Sequence, residues 1–129
     1  MRILIIVLAL LFASACNAGA QRRALDATGI IVDAAIPALL VAREIEGNAA
    51  IDAAHSFDEA QASIERIKAS WRPLFDAIDM FRSVHNTLSD ASDRGQPIDV
   101  IALAAAYCGV RTAAIGRANL PNVLGMCNE

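Results

Sequence analysis

The sequence has 129 residues, is 56% apolar but only 5% aromatic, and carries a formal net charge of −3. A chain of this size holds one modest core and no second domain, and its interspersed charges offer no basic surface to nucleic acid phosphates. With so few aromatic residues, alanine, leucine, isoleucine and valine must build the interior, which favours closely packed helices.

In chain order, Arg2 precedes the apolar run Ile3 to Phe12, and the small residues Ala13, Ser14 and Ala15 lead to Cys16. Positive charge, apolar stretch and small residues in that order form a bacterial export signal. The small residues before Cys16 resemble the lipobox of bacterial lipoproteins, a resemblance that covers residues 1–20. It implies that the Cys16 thiol receives a diacylglyceryl group and becomes the new amino terminus, anchoring the chain to a membrane. The chain departs from the pattern at Ala13, where a branched aliphatic residue is usual. Asn17 stands where lipoproteins retained at the inner membrane commonly carry Asp, so the resemblance favours the outer membrane over the inner. Cleavage after Ala15 or after Ala20, both of small-x-small form, would instead release a soluble secreted protein. A permanent anchor fits less well, because Ile3–Ala15 is 13 residues and a helix needs roughly 20 to cross the hydrocarbon. The expected organisation is an export segment over 1–20 and one helical domain over 21–129.

From Gln21 to about Glu46 the pattern predicts a helix with Leu25, Val32, Ile36 and Leu39 on one stripe. Pro37 lacks an amide hydrogen, so a bend or a break is expected there. Ala34 to Ala42 is apolar throughout, which predicts burial on most sides, and Gly47-Asn48 reads as a helix stop. A capping box follows at Ser56-Phe57-Asp58-Glu59.

The helix it opens has the clearest periodicity in the chain. Phe57, Ala60, Ile64, Ile67, Trp71, Leu74, Ile78, Phe81, His85 and Leu88 recur in steps of three and four, a coiled-coil-like seam. Glu65 with Lys68 and Asp79 with Arg82 are placed for weak ion pairs on the opposite face. Pro73 falls inside, but the apolar phase continues across it, which predicts a kinked rather than a terminated helix. A third helix is expected from Pro97 to about Ile115, with Ile98, Ile101, Ala105, Cys108, Thr112 and Ile115 on one face and Val100, Leu103 and Ala104 extending it. This helix is expected to be central. The fold expected is therefore all-α, a small three-helix up-down-up bundle.

With Cys16 set aside, Cys108 and Cys127 remain as a pair. One disulfide would close a loop of about 20 residues, contribute on the order of 3 kcal/mol, and fasten a tail that would otherwise fray. Neither cysteine has a second ligand at CxxC or CxxH spacing, so no metal is expected. His55 reads as a loop residue and His85 as a hydrogen-bonded histidine of the core. Haem attachment needs CxxCH, which is absent, and no cofactor is expected. No strained serine elbow and no activated cysteine is visible, and Asp76 and Asp79 lie between Arg72 and Arg82 as ordinary surface charges. Catalysis is not expected.

These readings lead to an exported envelope protein acting as a non-catalytic helical interaction module, binding another envelope protein or a copy of itself. The expected contact is an uncovered strip of the seam at Trp71, Leu74, Phe75, Ile78 and Phe81, with Phe75 the first candidate for exposure. The alternative is a periplasmic carrier of a small molecule or lipid with an apolar cavity between the first and third helices.

Overall fold

The computed structural model describes the backbone of residues 2–128 and the side chains of residues 17–128, so Cys16 and its expected lipidation lie outside the described side chains. Three helices account for about four-fifths of the described backbone: α1, Arg2–Asp52; α2, Phe57–Asp93; and α3, Val100–Ala113. A single 3-10 turn, Val123–Gly125, follows in the tail. No strand occurs among the described residues.

The cross-helix contacts fix the topology. Arg22 bonds Asp93, Asp33 meets Arg82 and Glu46 meets Trp71, so α1 and α2 run antiparallel. Phe81 packs on Tyr107 and Ser70 receives Arg117, so α2 and the chain from α3 onward are antiparallel too. The result is up-down-up. α2, not α3, is the central helix: α1 and α3 each lie along it and barely touch one another.

Local signals explain where α2 starts and stops. Ser56 has extended backbone (φ −149°, ψ 161°) and its hydroxyl accepts the Glu59 amide at 3.2 Å. The Glu59 carboxylate reaches back one residue further than a capping box predicts, to the His55 amide at 3.0 Å. At the other end Gln96 N donates to Ala91 O and Gly95 N to Ser92 O, both at 2.9 Å. This crossed pair requires Gly95 at φ +72°, a conformation glycine adopts without a steric penalty.

Several sequence-based boundaries are corrected. α1 neither breaks at Pro37 nor stops at Gly47-Asn48; it continues to Asp52. Glycine inside a helix costs about 1 kcal/mol and proline about 3, whereas each buried large apolar side chain contributes about 1.5–3 kcal/mol. Leu25, Val32 and Leu39 seat α1 on the core, and Arg43 and Glu46 hold its end to Phe75 and Trp71. α2 is likewise continuous through Pro73, with Trp71 and Leu74 buried on either side of it. α3 begins later than expected, at a cap formed by Asp99, whose carboxylate accepts the Ala102 amide at 3.0 Å.

Which faces are buried also differs from expectation. The α3 residues in the core are Leu103, Ala106, Tyr107 and Val110, while Ile101, Ala105, Thr112 and Ile115 are exposed. Tyr107 sets this rotation, being fully buried with its ring edge-on to Phe81 at 6.2 Å between centroids. Ala34–Ala42 is not enclosed either: only Leu39 in it is buried, and Leu40 and Val41 face outward. The seam of α2 is deepest at Trp71, Leu74, Ile78, Phe81 and Leu88, but Phe57 at its start is exposed. Glu65 and Lys68 pair at 2.9 Å as expected, whereas Arg82 turns to Asp33 of α1 at 3.3 Å rather than to Asp79.

Candidate functional site

Every residue expected to form an uncovered aromatic strip on α2 is engaged inside the chain. Trp71, Leu74, Ile78 and Phe81 are each at most 2% exposed, because α1 covers them from one side and α3 from the other. Phe75 is half-buried, with its ring 6.1 Å from that of Trp71 and the Arg43 guanidinium 5.5 Å above it. Trp71, Leu74, Ile78 and Phe81 thus belong to the core rather than to an uncovered strip, and Phe75 packs half-buried at its edge.

Trp71 instead joins three parts of the molecule. Its Nε1 donates to Glu46 Oε2 at 2.6 Å, and the Arg117 guanidinium lies 4.6 Å from its ring, an attraction between a cation and the negative face of the indole. Arg117 also donates to the Ser70 carbonyl at 3.0 Å, so one turn of α2 is clasped by the end of α1 and by the segment following α3. Sequence periodicity identified Trp71 as apolar core and carried no sign of Glu46 or Arg117, which reach it from positions 25 and 46 residues away.

The tail is fastened as expected and by more than expected. Cys108 and Cys127 are joined, with Cα atoms 5.5 Å apart. Tyr107 Oη donates to the Pro121 carbonyl at 2.7 Å and Arg111 Nε to the Leu120 carbonyl at 3.1 Å. The Asn122 side chain pairs with the Cys127 backbone as a peptide group would, accepting its amide at 2.9 Å and donating to its carbonyl at 2.8 Å. Burial raises the pKa of Tyr107 above the usual tyrosine value, with the nearby Arg111 charge opposing that shift.

His85 is half-buried and donates Nε2–H to the Leu25 carbonyl at 3.0 Å, the same oxygen that accepts Thr28 Oγ1 at 3.0 Å. His55 lies exposed in the loop between α1 and α2. Among the described residues no three His, Cys, Asp or Glu side chains form a group able to hold a metal ion. The described residues form surface clefts, of which two are the best defined. One, of about 480 Å³, lies at the end of α3 beside Arg111, Ile115, Arg117 and Asn119; the other, of about 430 Å³, lies between Glu46, Ser63, Arg66 and Ser70. Both combine charged walls with apolar ones, and neither lies between α1 and α3, where an acyl-chain carrier would hold its ligand.

Five of the ten exposed large apolar side chains among the described residues are on α1, the others being Phe57 and Met80 of α2, Ile101 of α3, and Ile115 and Leu124 beyond it. Ile30 is 70% exposed, Val41 54% and Ile45 63%, with Ala34, Pro37 and Ala38 exposed between them. Residues 17–52 of this helix are long and apolar enough to cross a membrane by length and composition alone. The same stretch, however, carries Arg22, which is bonded to Asp26, Ser92 and Asp93, and those carboxylates raise its pKa further. One sequence signal was available for this surface: an apolar run as long as Ala34–Ala42 faces every direction around a helix, and one neighbour covers only one of them. Comparison with family models, curated proteins and solved structures finds no match to this chain.

Proposed function

We propose that this protein is a small exported envelope protein that works as a non-catalytic helical interaction module, and that its binding surface is the outer face of α1. The observation that carries the reading is the row of exposed branched aliphatic side chains, Ile30, Val41 and Ile45, on a helix whose other side is fixed in the core. Side chains of this kind on a rigid helix suit an apolar contact, and their burial by a partner is favourable without any reorganisation of the bundle. Export is supported by the apolar amino-terminal helix and by the Cys108–Cys127 pair, since such bonds persist in oxidising compartments. Attachment through a lipidated Cys16, with the domain in the periplasm at the outer membrane, is the finer form of the proposal and rests on the lipobox resemblance.

Two measurements test it. Mass spectrometry of the mature amino terminus should find a diacylated Cys16; an intact Met1 or a terminus at Gln21 rejects the lipoprotein form. A photo-crosslinking amino acid placed at Val41 in cells should yield a discrete protein adduct, while the same group at the exposed Asp79 of α2 should not. Absence of an adduct at Val41 rejects the outer face of α1 as the binding surface.

A further inference from the structure

The exposed stripe on α1 is symmetric about its own midpoint. Ile30, Ala34, Pro37, Ala38, Val41 and Ile45 are all exposed and follow one another at helical spacing along one side. Reflected about the point between residues 37 and 38, Ile30 maps onto Ile45, Ala34 onto Val41, and Pro37 onto Ala38. The same reflection maps Arg23 onto Asp52, both exposed and neither engaged in an ion pair or hydrogen bond among the described residues. From Ile30 to Ile45 the stripe is about 22 Å long, and the two charges stand about 44 Å apart.

Resting on the reading of this face as the binding surface, we infer that its occupant is the same face of a second copy, packed antiparallel about a twofold axis at Pro37 and Ala38. A twofold contact uses one patch twice, with residue i meeting j and j meeting i, and so requires a patch that is its own complement. Antiparallel pairing supplies this: each Ile30 layers with an Ile45, the small Ala34, Pro37 and Ala38 let the backbones approach, and Arg23 of each chain meets Asp52 of the other. Parallel pairing would set Arg23 against Arg23 and Asp52 against Asp52. The stripe is short, so the dimer is reversible.

The test is sedimentation equilibrium of the chain purified in the form the cell makes, with Cys108–Cys127 intact. The expected result is a monomer–dimer equilibrium that Val41→Glu weakens at least tenfold. Arg23→Asp and Asp52→Arg each weaken it severalfold, and the two together restore it. These side chains are exposed, and unchanged helicity by circular dichroism verifies that each variant folds. Mixing Ile30→Cys with Ile45→Cys chains gives a linked heterodimer under oxidation, and neither chain links to itself. A wild-type monomer at every concentration, an unrescued double reversal, or self-linked Ile30→Cys each overturns the inference. So does binding of monomers to phosphatidylglycerol vesicles through Val41. A monomer whose Val41 still crosslinks to a different protein in cells overturns self-association and leaves the interaction module standing.

Discussion

His85 stands where a side chain at residue 29 would stand. Its Nε2 lies 2.5 Å from the position a Cβ would take on Gly29, and from there it bonds the Leu25 carbonyl one turn earlier on α1. The glycine that weakens α1 in isolation is thus what lets α2 approach it.

Gly29→Ala therefore sets two effects against each other. Alanine improves helix propensity by about 1 kcal/mol, but it displaces His85, losing a hydrogen bond worth about 1 kcal/mol and overpacking the contact by a further 1–3 kcal/mol. The expected outcome in urea unfolding is a net loss of roughly 1–3 kcal/mol. In a His85→Ala background the sign reverses, and Gly29→Ala stabilises by about 0.5–1 kcal/mol. Destabilisation of equal size in both backgrounds would mean the two residues are not coupled.

Trp71 is the sole tryptophan, so its fluorescence reports on the junction of α1, α2 and the segment after α3 alone. Trp71→Phe removes the donor to Glu46 and the larger ring under Arg117, and about 2 kcal/mol of stability should go with them. Glu46→Gln keeps an acceptor and should cost less than half as much. If Glu46→Ala leaves both the emission of the folded protein and its urea midpoint unchanged, the 2.6 Å bond contributes nothing to stability.

Tyr107 is the sole tyrosine, and its raised pKa makes stability depend on alkaline pH. The folded value lies above the unfolded one of about 10, so the unfolded chain gives up this proton first. The stabilisation is full below about pH 10 and is lost as the pH rises through the folded value. Phenolate absorbance should titrate higher in the folded protein than in urea, and Tyr107→Phe should flatten the alkaline limb of the stability profile. It should also cost about 1 kcal/mol near neutrality, from the lost bond to the Pro121 carbonyl.

Opening the Cys108–Cys127 bond should lower stability by about 3 kcal/mol, read as the difference in urea midpoint with and without reductant. The tail should not detach. Tyr107, Arg111 and Asn122 still hold residues 120–127 by hydrogen bonds, so amide exchange there should quicken without reaching the rate of an unfolded chain. Full loss of protection on reduction would show that the disulfide alone orders the tail.

Much of this architecture is legible in the sequence. The steps of three and four through Trp71, Leu74, Ile78 and Phe81 located the core side of α2, and Ser56 located its start, because both signals act within one or two turns of chain. The same short range makes Leu25, Val32 and Leu39 legible, while Ile36 of that stripe is only half-buried. The continuation of α1 past Gly47 was not legible: it depends on Glu46 meeting a tryptophan on another helix. The rotation of α3 escaped as well, since Ile101 and Leu103 are equally apolar and only the docking of Tyr107 on Phe81 decides between them.

By itself, the sequence determined that this chain forms helices, that α2 presents one strongly apolar side, and that Cys108 and Cys127 are candidates to pair. Tertiary structure alone decided which apolar side chains are buried and which stay exposed. The reason lies in composition. Helices rich in alanine, leucine and isoleucine are apolar around much of their circumference, so their own pattern offers several faces of similar free energy. The choice falls to the few large or polar groups, Tyr107, Trp71, His85 and Glu46, that fit in only one arrangement, and the outer face of α1 stays in solvent because α2 and α3 are already packed against each other.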